Sequence, residues 1–275
     1  MDKQASKSFT IRSATTQDAA ALLAIYRPYV EGTAVSFEQT PPTVAEFAAR
    51  IEKAVAHWAW LVAEANGQLV GFAYGSTHRA RAAYAHSVET SAYIHPNFQR
   101  GGIARALYNA LFVQLQLRGY ESAYAGITLP NDASVGFHRS LGFASIGTFP
   151  KVGRKFDQWH DVAWFYRPVQ LKTSETMNSG ELAALGNVLA AELLAILPNY
   201  HVRSDEHNDV LWESDILKEK ANVLLEGGGV GVYLKDSVFT SGGGARVARQ
   251  HRKLGAQIQA FHEAFATMMA EGSES

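Results

Sequence analysis

Gln99-Arg100-Gly101-Gly102-Ile103-Ala104 stands between an extended run and a helical one, and it decides the fold. Upstream, Glu89-Thr90-Ser91-Ala92-Tyr93-Ile94 reads as a strand ended by His95-Pro96-Asn97. Downstream, Ile103, Leu107, Leu111 and Leu115 recur at helical spacing as far as Gly119, a natural C-cap. A strand, a glycine turn and a helix in that order let backbone N–H groups approach an anion closely, because no Cβ intervenes at Gly101 and Gly102. The helix dipole adds partial positive charge there, and Gln99 and Arg100 stand beside it. A phosphate or pyrophosphate is the ligand that fits; by spacing alone, a purely structural turn is the alternative. The run is neither a GxxxxGK[ST] loop nor a GxGxxG loop.

Working outward, Phe9-Thr10-Ile11-Arg12 alternates like a strand, and Thr16-Gln17-Asp18 can cap a helix carrying Ala20, Leu22, Leu23, Ile25 and Tyr26. Thr43-Val44-Ala45-Glu46 fits a capping box that starts a helix reaching about His57. Trp58 to Glu64 and Leu69 to Gly75 read as antiparallel strands joined at Asn66-Gly67, since both residues tolerate positive φ. Tyr124 to Thr128 makes a further strand, Ser134 to Leu141 a short helix, and Ser145 to Phe149 and Val162 to Tyr166 two last strands. A hairpin placed before the glycine turn predicts an α+β sheet rather than a doubly wound one.

The chain has 275 residues, 47% hydrophobic and 19% charged, with a net charge of -1 and no cysteine. That composition suits a globular protein. It excludes disulfides, thiolate metal sites and a cysteine nucleophile, and it argues against a general nucleic-acid binder. No apolar run is long enough for a membrane span and no signal-like core follows Met1, so a cytoplasmic location is expected. Residues 1–171 hold 16 Lys/Arg against 12 Asp/Glu, and residues 172–275 hold 9 against 14. This break predicts a first domain over 1–171, a linker over 172–176 and a second domain over 177–275, opened by Met177 as a separately joined protein would be. In the second, Glu181 to Leu197 reads as a helix, and Val223 to Leu225 and Val230 to Leu234 as strands flanking Gly227-Gly228-Gly229, hence a small α/β region. It ends in a long amphipathic helix bearing Val247, His251, Leu254, Ile258, Phe261, Phe265 and Met268, a core face or a partner-binding one. Gly242-Gly243-Gly244 reads as a joint, and His201, Asp205, Glu206 and His207 as a polar loop, with an anion cradle and a metal site as the respective alternatives.

The glycine turn resembles the [QR]-x-x-G-x-[GA] acetyl-CoA pyrophosphate loop of GNAT acetyltransferases. Other stretches resemble the branch of phosphinothricin and methionine sulfoximine N-acetyltransferases: Trp60-Leu61-Val62-Ala63-Glu64, Arg79-Ala80-Arg81-Ala82-Ala83-Tyr84 with Glu89, Leu129-Pro130-Asn131-Asp132-Ala133-Ser134-Val135, His138 with Leu141-Gly142-Phe143, and Trp159-His160-Asp161-Val162. Order and spacing agree over residues 8–170, and nothing beyond them takes part. The resemblance implies a mixed, mostly antiparallel sheet flanked by helices. It implies an N-acetyltransferase acting on a small amino-acid-like amine, with acetyl-CoA as donor, no metal, and a homodimer with Trp159 and His160 near its interface.

Carried over residue by residue, Glu89 is the general base, its alternative being a strand-edge glutamate paired with Arg79 or Arg81. His138 either relays a proton and orients that base or packs on its short helix. Tyr93 and Ile94 supply backbone N–H groups for the oxyanion. Gln99, Arg100, Gly101, Gly102, Ile103, Ala104, Asn131 and Ser134 hold the cofactor, with Asn131 equally able to start a helix. Arg79, Arg81 and Tyr84 bind an anionic substrate, guanidinium groups being suited to a carboxylate or phosphinate, with a solvated basic loop as the alternative, and Phe37 either lies near that substrate or packs in the core. One departure stands out: Arg100 is the loop's only cation, where family members often carry an early arginine or lysine. A different reading makes the chain an acetyl-CoA-binding regulatory protein whose second region binds an unidentified partner.

Overall fold

A computed structural model describes residues 9–169, 179–196, 204–226, 237 and 242–272. The chain falls into two compact units, Met1–Gln170 and Leu171–Ser275. The first unit runs β1 (Thr10–Ser13), α1 (Ala19–Gly32), α2 (Val44–His57), β2 (Trp60–Ala65), β3 (Gln68–Thr77), β4 (Ser87–Ile94), α3 (Ile103–Leu117), β5 (Ser122–Thr128), α4 (Asp132–Ser140), β6 (Ala144–Lys155) and β7 (Gln158–Pro168). Local chemistry explains the early boundaries. Thr43 N-caps α2 by accepting from the Glu46 N–H at 3.2 Å, and the Glu46 carboxylate accepts from the Thr43 N–H at 2.7 Å; such a cap is worth about 1 kcal/mol. Asn66 at φ 53° and Gly67 at φ 72° make the two-residue turn between β2 and β3. Thr16–Asp18 forms a 3₁₀ turn ahead of α1, rather than a cap, with Asp18 bound to Arg12 at 2.8 Å.

The sheet has seven strands in the order β1-β2-β3-β4-β5-β7-β6, antiparallel throughout except for β4 and β5. That parallel pairing covers Ser87–Glu89 against Ser122–Tyr124 and ends there, so the two strands part beyond Glu89. On one face α1 and α2 bury an aromatic core of Tyr26, Phe47, Trp60, Phe72 and Tyr93. On the other, α3 comes so close that a Cβ on Gly75 would stand 2.9 Å from Val88 and 3.2 Å from Leu115. Strand alternation therefore sends Glu89, Ser91 and Tyr93 to the α1/α2 face and Val88 and Thr90 to the α3 face.

The last hairpin is longer than the sequence pattern shows. β6 is exposed along almost its whole length, so it carries no alternation to read. Phe156 and Asp157, at φ 50° and 57°, turn it into β7. Its end is tied down by Lys155, 2% exposed, whose Nζ donates to the Val30 and Ser36 carbonyls at 2.6 and 2.7 Å. This ammonium joins the hairpin to the C-terminal turn of α1 and the segment after it.

The described part of the second unit is helical: α5 (Ser179–Ile196), α6 (Asp205–Glu226), α7 (Gly242–Gln250) and α8 (Arg252–Gly272). The expected strand at Val223 to Leu225 is instead the last turn of α6. Its helical stripe of buried residues, Val210, Glu213, Ser214, Leu217, Lys220 and Ala221, includes three polar ones, which hid the period. Val230 to Leu234, the 172–176 linker, Met177 and His201 lie outside the described residues. Gly242-Gly243-Gly244 opens α7 rather than forming a joint, and Asp205, Glu206 and His207 form the first turn of α6, with Glu206 bound to Arg246 at 2.6 Å. The long final helix is broken at His251 into α7 and α8. Among the described residues no group of three or more potential metal ligands occurs, and no helix is long and apolar enough to cross a membrane.

Replacing Lys155 with Met leaves two buried carbonyls without their donor. Unfolding of the first unit in urea is expected to show a loss of about 2–3 kcal/mol with an unchanged slope; a wild-type midpoint would show that the tie carries no stability.

Candidate active site

Where β4 leaves β5, backbone and side chains converge. Glu89 is the last residue of β4 paired with β5, facing Tyr124 across the ladder and Ser76 on β3. Its carboxylate is bound by a residue the sequence reading passed over: Nδ1 of His78 stands 3.0 Å from Oε1. Arg79 lies close enough to act on Glu89 through charge, but the hydrogen bond comes from the histidine, so the expected arginine pairing is not the one formed. Burial raises the Glu89 pKa, while the His78 bond and the Arg79 charge oppose that rise. A half-buried carboxylate pushed upward is a stronger base than an exposed one.

On the α1/α2 face a cavity of ≈ 270 Å³ is lined in part by Trp58, Tyr74, Ser76 and Thr77 and by two cations from α2, Arg50 and Lys53. Arg50 is also bound to Glu38. Ser76, which lines this cavity, is the ladder partner of Glu89, so the cavity opens on the α1/α2 face next to that pair.

The glycine turn has the backbone an anion needs. Arg100 takes φ 61° and Gly102 φ 80°, the second as N-cap of α3. Glycine has no side chain to satisfy the first-turn N–H groups, so those of Ile103 and Ala104 are left to an outside acceptor. Gln99 is anchored rather than extended: its Nε2 donates to the Tyr29 hydroxyl at 3.1 Å, which donates to the Ile94 carbonyl at 2.7 Å. Tyr93 and Ile94 lie on β4 past the point where pairing with β5 stops.

The remaining expected residues are distributed unevenly. Tyr84 stands close to the base, 6.0 Å from the His78 ring, with Arg79 5.8 Å above it. Arg81 starts the exposed 3₁₀ turn that carries Tyr84. Phe37 packs over β6, where a Cβ on Gly153 would fall 2.1 Å from its ring, and its ring lies 6.1 Å from that of His160. Asn131 caps α4, its Oδ1 accepting from the Ser134 N–H at 3.1 Å.

His138 is on the far side of the sheet from Glu89. It is 7% exposed within an aromatic cluster of Tyr108, Phe137, Phe143 and Phe165. Its Nδ1–H donates to the Ser134 carbonyl at 2.8 Å and its Nε2 accepts from the Tyr108 hydroxyl at 3.0 Å. Thr90, the neighbour of Glu89 that points to the α3 face, donates its hydroxyl to the Tyr124 carbonyl at 3.3 Å. Sequence proximity to family motifs could not show this, because which face receives a helix is a matter of topology.

A family model described as the acetyltransferase (GNAT) domain matches residues 11–164. A phosphinothricin N-acetyltransferase of Streptomyces viridochromogenes is 38% identical over 161 residues, spanning 58% of this chain and 88% of that protein. The L-methionine sulfoximine/L-methionine sulfone acetyltransferase of Salmonella typhimurium is 34% identical over 156 residues, spanning 56% and 91%. Among solved structures, a GNAT superfamily phosphinothricin acetyltransferase from Sinorhizobium meliloti in complex with AcCoA superposes with a TM-score of 0.56 at 33% identity, covering 58% of this chain and 88% of that one.

Burial lowers the His138 pKa, so its imidazole is expected to titrate in NMR below the usual value of about 6.5. The unfolded chain then binds this proton first as pH falls. His138 therefore withdraws stability from about pH 6.5 downward until the folded state is protonated as well. Titration at or above the usual value would contradict the neutral, core-packed imidazole.

Proposed function

The chain belongs to the GNAT acetyltransferase family and is an acetyltransferase; on that premise we propose that residues 1–171 move the acetyl group of acetyl-CoA to the primary amine of a small anionic compound of the phosphinothricin or methionine sulfoximine kind. One observation carries the reading. The strand that bears a half-buried carboxylate on one face leads, at the point where it parts from its neighbour, into a glycine-capped helix N-terminus. Base and anion cradle are thus fixed on consecutive elements. Solved relatives described with acetyl-CoA support the donor.

Gly101 and Gly102 let the first-turn N–H groups of α3 hold the pyrophosphate, with Arg100 beside them, Gln99 bracing the turn, and Asn131 and Ser134 across the gap at the start of α4. When bound, acetyl-CoA supplies a thioester carbonyl that an amine can attack. Beyond the pairing with β5, the N–H of Ile94 faces away from β3 and is suited to the charge that develops on that carbonyl oxygen, while the Tyr93 N–H is turned into the β3 ladder. Glu89 takes the proton from the attacking amine as the C–N bond forms and the C–S bond breaks, the thiolate leaving. Arg79 and Tyr84 are assigned to the substrate's anionic group, a reading supported by Arg79 lying over the Tyr84 ring, and the cavity with Arg50 and Lys53 is assigned to the rest. His138 belongs to the core that positions α3 and α4, not to the proton path. The reaction is assigned to the cytoplasm.

The same reading makes the protein a homodimer through its last hairpin. Ile146, Phe149, Val152, Phe156 and Trp159 are between 47 and 59% exposed on β6, β7 and their turn, an apolar set that a second copy would cover. The second unit is assigned no part in acetyl transfer and remains available for a partner.

Turnover of phosphinothricin and methionine sulfoximine with acetyl-CoA tests the substrate class, and failure with both in folded protein would overturn it. Glu89→Gln is expected to lower kcat by about 10²-fold or more at unchanged acetyl-CoA affinity. Sedimentation equilibrium should give a dimer that Trp159→Asp with Val152→Asp converts to monomer, and a wild-type monomer would remove the hairpin interface.

A further inference from the structure

His78 has no place in the acetyl-transfer chemistry described so far, yet its ring is the most closely held group around Glu89. It follows directly on the last residue of β3, and its side chain is 11% exposed. The ring lies parallel to Tyr124 of β5 at 4.2 Å and 7°. It also meets Tyr84 from the β3–β4 connection and Trp164 of β7 edge-on, each at 6.0 Å. Three elements thus fix one imidazole plane, and its Nδ1 points at Oε1 of Glu89 at 3.0 Å.

An ionised carboxylate can only accept, so the imidazole donates: Nδ1–H occupies Oε1 and leaves Oε2 as the free basic oxygen. The choice of residue matters chemically. An arginine in direct contact would hold the carboxylate equally well but would depress its pKa by about 1–3 units and weaken it as a base. An imidazole instead holds one oxygen through a single N–H and leaves the second oxygen for the proton. The other charged or titratable groups near the pair are the Arg79 guanidinium and the hydroxyls of Tyr74, Tyr84 and Tyr124. Among the described contacts of Glu89, the bond from His78 is the one hydrogen bond from a side chain.

We propose that His78 is a positioning residue for acetyl transfer, clamping one oxygen of Glu89 so that the other receives the amine proton. The proposal rests on Glu89 being the base. It does not make His78 a proton carrier: the proton passes from the amine nitrogen to Oε2, while Nδ1–H stays on the ring.

His78→Phe keeps a ring against Tyr124 and removes the donor. His78→Asn places an amide N–H near the position of Nδ1. With phosphinothricin and methionine sulfoximine as acceptors, His78→Phe is expected to lower kcat about 10-fold. The KM for acetyl-CoA should stay within about twofold. The acidic limb of the kcat/KM profile should move to higher pH, because a donor that stabilises the carboxylate has been lost. His78→Asn should recover most of kcat and the position of the limb. A ¹³C titration of the Glu89 carboxyl, which needs no turnover, should show the same upward move in His78→Phe and its reversal in His78→Asn.

A wild-type rate and an unmoved carboxyl titration in His78→Phe would overturn the proposal. So would a folded His78→Asn as impaired as His78→Phe, since packing rather than donation would then be responsible. Glu89→Gln measured alongside separates the two claims. A slow Glu89→Gln with a normal His78→Phe sinks the positioning role alone, whereas a fully active Glu89→Gln removes the base, and this proposal with it.

Discussion

The parting of β4 from β5 after three residue pairs is the constraint on which the rest of the first unit depends. In a sheet whose other neighbours are antiparallel, this parallel pair joins two halves, β1 to β4 and β5 to β7. Parallel pairing needs a crossover, and here the crossover is the glycine turn and α3. The divergence does three things at once. It releases the backbone edge of β4 near Tyr93 and Ile94 from the ladder, places the N-terminus of α3 at the end of that strand, and leaves Glu89 as the last residue still held in register by both neighbours. A base needs a fixed position and a partly dry setting, and both come from being at the end of the pairing rather than beyond it.

Alternation along β4 then divides the labour between the faces. Toward α1 and α2 stand Glu89, Ser91 and Tyr93, with the aromatic core and the cavity carrying Arg50 and Lys53. Toward α3 and α4 stand Val88 and Thr90, with Tyr108 donating to His138 and His138 to the Ser134 carbonyl. A one-residue slip of β4 would exchange the two sets, which is why the register with β3, held over Gly71–Thr77 against Val88–Ile94, matters more to function than any single contact. The far hairpin is held to this frame by the β5–β7 ladder along Val162–Pro168 and, at its distal end, by one buried ammonium, Lys155, while β6 itself stays largely exposed.

Much of this was legible residue by residue. The capping box at Thr43 and Glu46, the turn at Asn66-Gly67 and the glycine turn at Gly101-Gly102 are short-range features, settled by sterics and hydrogen bonds within four or five residues, and each is found where the pattern puts it. Asn131 shows the same rule from the other side, since it caps a helix as its neighbours require. The second unit was harder because its α6 stripe buries Glu213, Ser214 and Lys220. Glu213 and Lys220 meet at His262 of α8, at 2.5 and 2.7 Å. A polar stripe defeats a search for hydrophobic period, and a short apolar run such as Val223 to Leu225 then reads as a strand when it is helix.

By itself the sequence determined the kind of machine: a glycine-capped helix after a strand, a glutamate on that strand, and the branch of acetyltransferases that its motifs resemble. Tertiary structure decided which groups meet. His78 and Glu89 are eleven positions apart in sequence, and only the β3–β4 register, with Tyr124 and Trp164 arriving from later strands, turns them into a pair. His138 shares motifs with the site but is sent to the opposite face by the path of α4, and Lys155 finds its acceptors 125 and 119 residues away. Steric and capping rules act over a few bonds and can be read from neighbours. A contact between distant residues exists only after the ladder is closed, and its identity is a property of that closure.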